Sequence, residues 1–422
     1  MNKINFSNII EYAMVDLHLH FDGAISIKIV EELIKLQPNK KLTDWDMLTD
    51  KGKKQLLSVT EECESLNEYL KKFDYPEKLL QSPQTVKLAI KILVQDLEEQ
   101  GYIYADIRFA PQLFSTDLRS TLSKKMTKQE EEEIFQHEFQ IVKAALEGIE
   151  EAKLENMEAN IILCCMRNKN WNRFDKLENQ NANERTIKIA SLLEHYCNKN
   201  KSLVTPRITK LDIAGGEAGN KNEDYINLYK VYKKYNFKNI GLTIHSGEAG
   251  TIQERLENLS MVINKTNANI GHGVIIGEIY KNDIPKTYKE QILDLMYKLV
   301  NSDRVLEICI TSNYQTKAIN GVHPIVKMIM GDRAQGIPEL TSNITINTDN
   351  PVVSNTTLKK ELELFVKICI DMGLNEKEIA LKLLQIKKNS IVQSGLSEKK
   401  KKKYLYEISK KLEQVQEEYM NN

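Results

Sequence analysis

VDLHLHFDG, residues 15–23, alternates apolar Val15, Leu17, Leu19 and Phe21 with polar Asp16, His18, His20 and Asp22. A period of two is the mark of a β-strand, in which residues two apart share a face. His18, His20 and Asp22 are therefore expected to leave one face of a strand near the start of the chain. Two readings fit so short a pattern: a strand with one buried face and one wet face, or part of a metal donor set. The rest of the chain decides between them.

Seven further segments read as strands. They are YIYADIRFAP (102–111), NIILCCMRN (160–168), ITKLDIAGGE (208–217), NIGLTIHSGEAG (239–250), NANIGHGV (267–274), RVLEICITSN (304–313) and NITINTDNP (343–351). Each is a short run rich in Ile, Val, Leu or Ala that ends in polar residues and Gly, Asn or Pro. Amphipathic patterns lie between them. SPQTVKLAIKILVQDLEEQG (82–101) has apolar residues at helical spacing, Ser82 as cap, Pro83 in the first turn and Gly101 just past the end. NEDYINLYKVYKKYN (222–236) and TYKEQILDLMYKLV (287–300) repeat the pattern. Eight strands alternating with helices predict an α/β fold, a (β/α)8 TIM barrel, with a doubly wound open sheet as the alternative. Roughly eighty residues separate the first two strands, a gap far beyond an ordinary connection. It should hold extra helices (SIKIVEELIKLQ, 26–37; SLNEYLKKF, 65–73) and could form a lid over the barrel mouth. No repeat or linker divides the chain, so residues 1–422 are expected to be one domain. Its barrel core would span about 13–358, with a helical C-terminal part over about 359–422.

Composition narrows the function. The chain is 41% hydrophobic and 28% charged, and 59 Lys+Arg balance 59 Asp+Glu. That balance gives no field to draw in nucleic acid or an anionic membrane. No stretch reaches the roughly 18–20 apolar residues of a membrane span, and MNKINFSNIIEYAM lacks the apolar run of a signal peptide. Cys63, Cys164, Cys165, Cys197, Cys309 and Cys369 form no C-x-x-C pair and are expected as reduced, mostly buried thiols. A cytoplasmic chain with a small-molecule partner is expected. The run Lys399–Lys403 is expected to solvate the face of a terminal helix rather than to bind a polyanion.

Polar residues crowd the C-terminal ends of the strand segments: His18 and His20, Gly215 and Glu217, His245 and Glu248, His272, Asn313, Asp349 and Asn350. In a barrel these ends converge on one mouth, where active sites of this architecture are built. His323 joins the list with less force. One histidine in such a place is usually a packing residue, but four on different strands are hard to explain that way. His18, His20, His245 and Asp349 offer three nitrogens and one oxygen, which suits Zn²⁺, with Fe²⁺ or Co²⁺ also able to bind such a set. Glu248, three residues past His245, is a candidate general acid or base, and His272 a candidate for orienting a metal-bound water. The fourth strand segment ends without a lysine, Lys210 lying near its start, which favours one metal over two. No nucleophile elbow, P-loop or dinucleotide fingerprint follows a strand.

The segments DLHLHFDGA, SLNEYLKKFD, YADIRFAP, DIAGGE, HSGEAG, IGHG, EICITSN and TDNP, in this order from residue 15 to about 358, resemble the adenosine deaminase family. The resemblance implies a (β/α)8 barrel, one Zn²⁺ per chain, and hydrolytic deamination of adenosine or 2′-deoxyadenosine in purine salvage. It implies His18, His20, His245 and Asp349 as metal ligands, Glu248 as the acid that protonates purine N1, and His272 as the group orienting the attacking water. His20, Asp22, Gly215 and Asn350 fall on its substrate side. Gly215 would offer a backbone N–H to N3, and Asp22 would meet the ribose 5′-hydroxyl. Adenine deaminases usually carry Glu at this last place, so Asp22 favours a nucleoside. Asn350 stands where many members have a second Asp against N7; an amide can donate that bond directly. Ile310 replaces a common Pro, and Ala24 a frequent Ser. Rival readings are deamination of another 6-aminopurine, a silent purine-binding protein, and a generic mononuclear metallohydrolase. A phosphorylated substrate would call for extra cations at the mouth; Arg108 is one candidate, although a salt bridge among strand ends suits it better.

Overall fold

The computed structural model describes the chain apart from residues 1–3, 38–44, 61, 62, 64, 65, 124, 168–175, 200–206, 221, 222, 421 and 422. Of residues 66, 67, 176–180, 195–199, 223–225 and 418–420 it describes the backbone alone. Ser65, Asn168 and Asn222 of the expected elements, and the Cys197 side chain, therefore lie outside the described residues.

Eight strands form one parallel sheet in sequence order: β1 Met14–His20, β2 Tyr102–Phe109, β3 Glu158–Met166, β4 Ile208–Ala214, β5 Gly241–Ser246, β6 Asn269–His272, β7 Leu306–Ile308 and β8 Ile344–Ile346. The sheet closes on itself. Beyond β8 the chain pairs with β1, Asp349 N–H donating to the His18 carbonyl at 2.7 Å and His20 N–H to the Asp349 carbonyl at 2.7 Å. The Asn347 side chain accepts from Leu17 N–H at 2.9 Å in the same seam. Closure and the surrounding helices make this the (β/α)8 barrel, and the open-sheet alternative falls.

The expected helices form, at Pro83–Glu99, Glu223–Tyr235 and Lys286–Val300. Ser82 caps the first in a reciprocal box with Thr85, Pro83 opens it, and Gly101 follows it at φ 87°. Between β1 and β2 lie Ile27–Leu36, Asp50–Leu57, Leu66–Leu70 and Asp74–Leu79, ahead of Pro83–Glu99. Leu358–Asp371, Glu376–Gln393 and Glu398–Met420 complete the chain. No described helix is long and apolar enough to cross a membrane.

Four local expectations change. β1 stops at His20, and Asp22 sits in a 3₁₀ turn, Asp22–Ala24, because Phe21 leaves the extended region at φ −64°, ψ −49°. The polar face of β1 is not wet: Asp16 and His18 are fully buried, since that face is the barrel interior. Asn313 is not on a strand end but on the helix Ile310–Gln315 that follows β7. The lysine run is also more than a solvated face. Lys401 donates to the Val392 and Ser394 carbonyls, at 3.1 and 2.7 Å, and so caps the preceding helix.

Candidate active site

The ends of β1 and β5 and the turn after β8 bring three imidazoles and a carboxylate together. His18 Nε2 and His245 Nε2 lie 3.0 Å apart, and His20 Nε2 is 3.2 Å from His245 Nε2. Asp349 Oδ1 is 3.7 Å from His18 Nε2 and 3.4 Å from His20 Nε2. The far nitrogens explain why this grouping fits a cation. His18 Nδ1 is 2.9 Å from Glu307 Oε2, and His245 Nδ1 is 3.1 Å from Asp212 Oδ1. A carboxylate accepts, so each Nδ1 carries its ring's proton. In neutral rings both Nε2 atoms then present lone pairs to each other at 3.0 Å, which favours a positive charge between them. Burial holds His18 and His20 well below the ordinary histidine pKa, keeping them neutral.

Arg108 ties the two supporting carboxylates together. It is fully buried and donates to Asp212 Oδ2 at 2.9 Å, Glu307 Oε2 at 2.8 Å and the Leu17 carbonyl at 2.6 Å. The guanidinium is therefore a salt bridge inside the barrel, as its sequence context suggested. Burial alone would raise Asp212, but its contacts with His245 and the Arg108 charge outweigh it and hold its carboxyl far below the usual range. Thr243 Oγ1 donates to the other Glu307 oxygen at 3.0 Å. Sequence reading gave Asp212 and Glu307 no role. The available signal was a lone charge inside an apolar strand, in LDIA and VLEIC, which has to find a partner once buried.

Asp349 and His272 both adopt left-handed backbone, φ 63° each. For residues with a Cβ this costs on the order of 1–3 kcal/mol apiece and clusters at functional sites. Ser312 Oγ donates to Asp349 Oδ2 at 2.6 Å. His272 Nε2 faces Glu248 Oε2 at 3.5 Å and Asp349 Oδ2 at 4.0 Å. Burial raises the pKa of Glu248 and of Asp349, and lowers that of His272 to about 3. His272, Cys309 and Asp349 form a second metal-capable grouping that shares Asp349 with the first.

Glu248 stands on a loop held by Glu217. That carboxylate accepts the N–H groups of Gly247, Glu248 and Ala249 at 2.8, 2.7 and 3.0 Å, and the Asn258 amide at 3.0 Å. Thr316 Oγ1 donates to Glu248 Oε1 at 3.2 Å.

These groups floor a cavity of about 350 Å³, at the small end of ligand pockets. Phe109, Leu113 and Met166 give it apolar walls, and Tyr69, Leu70 and Phe73 from the β1–β2 insertion line it too, where a lid was expected. Asp22, Gly215 and Asn350 also line it. Gly215 is left-handed at φ 89°, so its backbone reaches the cavity without a side chain. Burial raises Asp22 to about 7. Asn350 donates one amide hydrogen to Asp349 Oδ1 at 2.7 Å, and its Oδ1 is buried with no partner among the described residues. A Cβ on Gly23 would meet that oxygen at 2.0 Å, so the Asp-Gly pair is what admits Asn350. One sequence candidate stands elsewhere: His323 is buried outside the cavity. Lys210, read as too near its strand's start to hold a metal, pairs with Asp106 at 3.0 Å.

Residues 14–411 match the adenosine deaminase family. A protein of Clostridium botulinum (strain Okra / Type B1) named adenosine deaminase is 31% identical over 403 residues, covering 94% of this chain and 97% of its own. The fold resembles that of the apo N6-methyl-AMP deaminase of Arabidopsis thaliana, with TM-score 0.63 and 17% identity over 96% of this chain and 98% of the other. It also resembles an adenine deaminase of Arthrobacter aurescens, with TM-score 0.64 and 16% identity over 95% and 99%.

Proposed function

Since the chain belongs to the adenosine deaminase family, we propose that it hydrolyses the 6-amino group of adenosine and 2′-deoxyadenosine, releasing ammonia. In this reading one Zn²⁺ is held by His18, His20, His245 and Asp349. The observation that carries it is the convergence of three imidazole nitrogens and a carboxylate beneath a half-buried acid, Glu248, in a cavity of nucleoside size. When bound, Zn²⁺ supplies a water whose pKa is lowered toward neutrality.

This chain's residues supply the rest. Glu248, its pKa raised by burial, is the acid that gives a proton to purine N1 as C6 becomes tetrahedral. Thr316 and Glu217 hold that acid and its loop in place. His272 orients the attacking oxygen. Gly215 N–H meets N3, Asp22 the 5′-hydroxyl, and Asn350 the N7 atom through the amide hydrogen that Asp349 does not take.

The cavity's charge supports a nucleoside over a nucleotide. Its described lining includes Asp22, Asp74, Glu77, Glu217 and Glu248 and no Lys or Arg. A 5′-phosphate there would face carboxylates without a counter-charge. Cys164, Cys165, Cys309 and Cys369 are buried free thiols, which supports a reducing compartment such as the cytoplasm.

The test is the ultraviolet shift from adenosine to inosine with zinc-loaded protein, with adenine, AMP and N6-methyl-AMP assayed in parallel. No turnover of adenosine overturns the reading; faster turnover of a companion moves the substrate but keeps the deaminase. Glu248→Gln is expected to retain zinc and lose about 10²–10⁴-fold in kcat. Metal loss in that variant would make Glu248 a ligand instead.

A further inference from the structure

A line of buried polar groups runs from a backbone amide to His272. Ile325 N–H donates to His323 Nδ1 at 3.2 Å. His323 Nε2 lies 3.3 Å from Asn313 Oδ1, and Asn313 Nδ2 lies 3.1 Å from His272 Nδ1. His323, Asn313 and His272 are 1%, 0% and 1% exposed. His323 is itself anchored, its own N–H donating to the Tyr314 hydroxyl at 2.9 Å.

The direction of each bond follows from the first. A peptide N–H can only donate, so His323 Nδ1 is bare. Burial lowers the pKa of His323 to about 3, so the ring is neutral and its one proton sits on Nε2. That N–H donates to Asn313 Oδ1 and turns the amide so that its NH₂ faces His272. Rotating the amide would set NH₂ against N–H, two donors with nothing between them. His272 Nδ1 must therefore accept. In the neutral ring the proton is left on Nε2, the atom that faces Glu248 and Asp349.

We propose that His323 and Asn313 are positioning residues that fix His272 as the Nε2–H tautomer, so that it presents a hydrogen-bond donor and not a base to the reacting centre. This rests on the deaminase reading for its consequence, though not for its geometry. With Nε2 already protonated, His272 can hold an oxygen by its lone pair but cannot take that oxygen's proton there. The sequence reading counted Asn313, and His323 with less force, among the polar residues at the mouth without a role; here their role runs through His272.

The test is nitrogen-15 NMR of histidine-labelled protein, with His272 assigned from its Gln variant. His272 is expected to show a protonated Nε2 and a bare Nδ1. Asn313→Asp puts an acceptor against Nδ1 and should invert that pattern. His323→Leu removes the donor and should lower kcat roughly tenfold to a hundredfold at nearly constant KM, the usual cost of losing such an outer support. His323→Gln keeps a donor toward Asn313 and an acceptor toward Ile325, and should restore most of the rate. A bare Nε2 in the parent protein overturns the proposal, as does equal kcat in the Leu and Gln variants. Should the Leu variant fail to fold, the NMR pattern of the parent protein and of Asn313→Asp still decides. The NMR result needs no substrate, so a protein inactive on adenosine would sink the function and leave the tautomer assignment standing or falling on its own.

Discussion

Lys387 is 4% exposed and donates to the Ile10 carbonyl at 3.0 Å, with no carboxylate paired to it among the described residues. Burial pulls its pKa down to about 7. In the unfolded chain an ordinary lysine titrates near 10.4. Between pH 7 and 10 the unfolded chain thus holds a proton that the folded one lacks, and stability rises with pH across that window. Below pH 7 the cost is constant. Lys387→Met should flatten the slope between pH 7 and 10 and add about 3 kcal/mol at pH 7, after allowance for the orphaned carbonyl. Urea unfolding at pH 7, 8.5 and 10 measures both; parallel slopes in the two proteins would refute it. Lys387 could not be singled out in the sequence, since nothing local marks which lysine of a helix faces inward. The histidines could, because seven in 422 residues make four strand ends conspicuous. Arg108, Asp212 and Glu307 lie between these cases. Each looks unusual within its strand, but their pairing joins positions 104 and 199 residues apart.

At the scale of elements, strand positions were legible and strand ends were not. β7 and β8 are three residues each, shorter than the segments read as strands; after β7 the helix Ile310–Gln315 begins with Cys309 as its cap, before the polar residues of that segment are reached. Asp22 shows the same limit: the alternation continues past His20, and the backbone does not. The loop after β5 is fixed from outside itself, by the Glu217 carboxylate on three successive N–H groups. Glu217→Gln sets an NH₂ against one of those donors and should let the loop shift. Each backbone bond lost is worth about 1 kcal/mol, so kcat should fall roughly tenfold or more with zinc content unchanged. Steady-state kinetics with metal analysis reads both, and an unchanged kcat would mean the loop is held by other contacts.

Across the whole molecule, one apolar cluster runs from Ile9 to Ile408, so the terminal helices share a core with the barrel. The proposed ligands come from three stretches far apart in sequence, and a metal bound to them ties the strand ends together. Ligand binding to the native state alone adds about 4 kcal/mol at a thousand times its Kd. Chelation should therefore lower the thermal midpoint and zinc should restore it; a midpoint indifferent to chelator would remove these residues from metal binding. The seam between β8 and β1 has a further consequence, for synthesis. His18 and His20 emerge from the ribosome early, yet the backbone bonds that align them come from Asp349, itself one of the four proposed ligands. A nascent or prematurely terminated chain that stops short of Asp349 thus carries at most three of the four proposed ligands and no finished chelate. On the proposed reading, metal capture waits until the last strand is made.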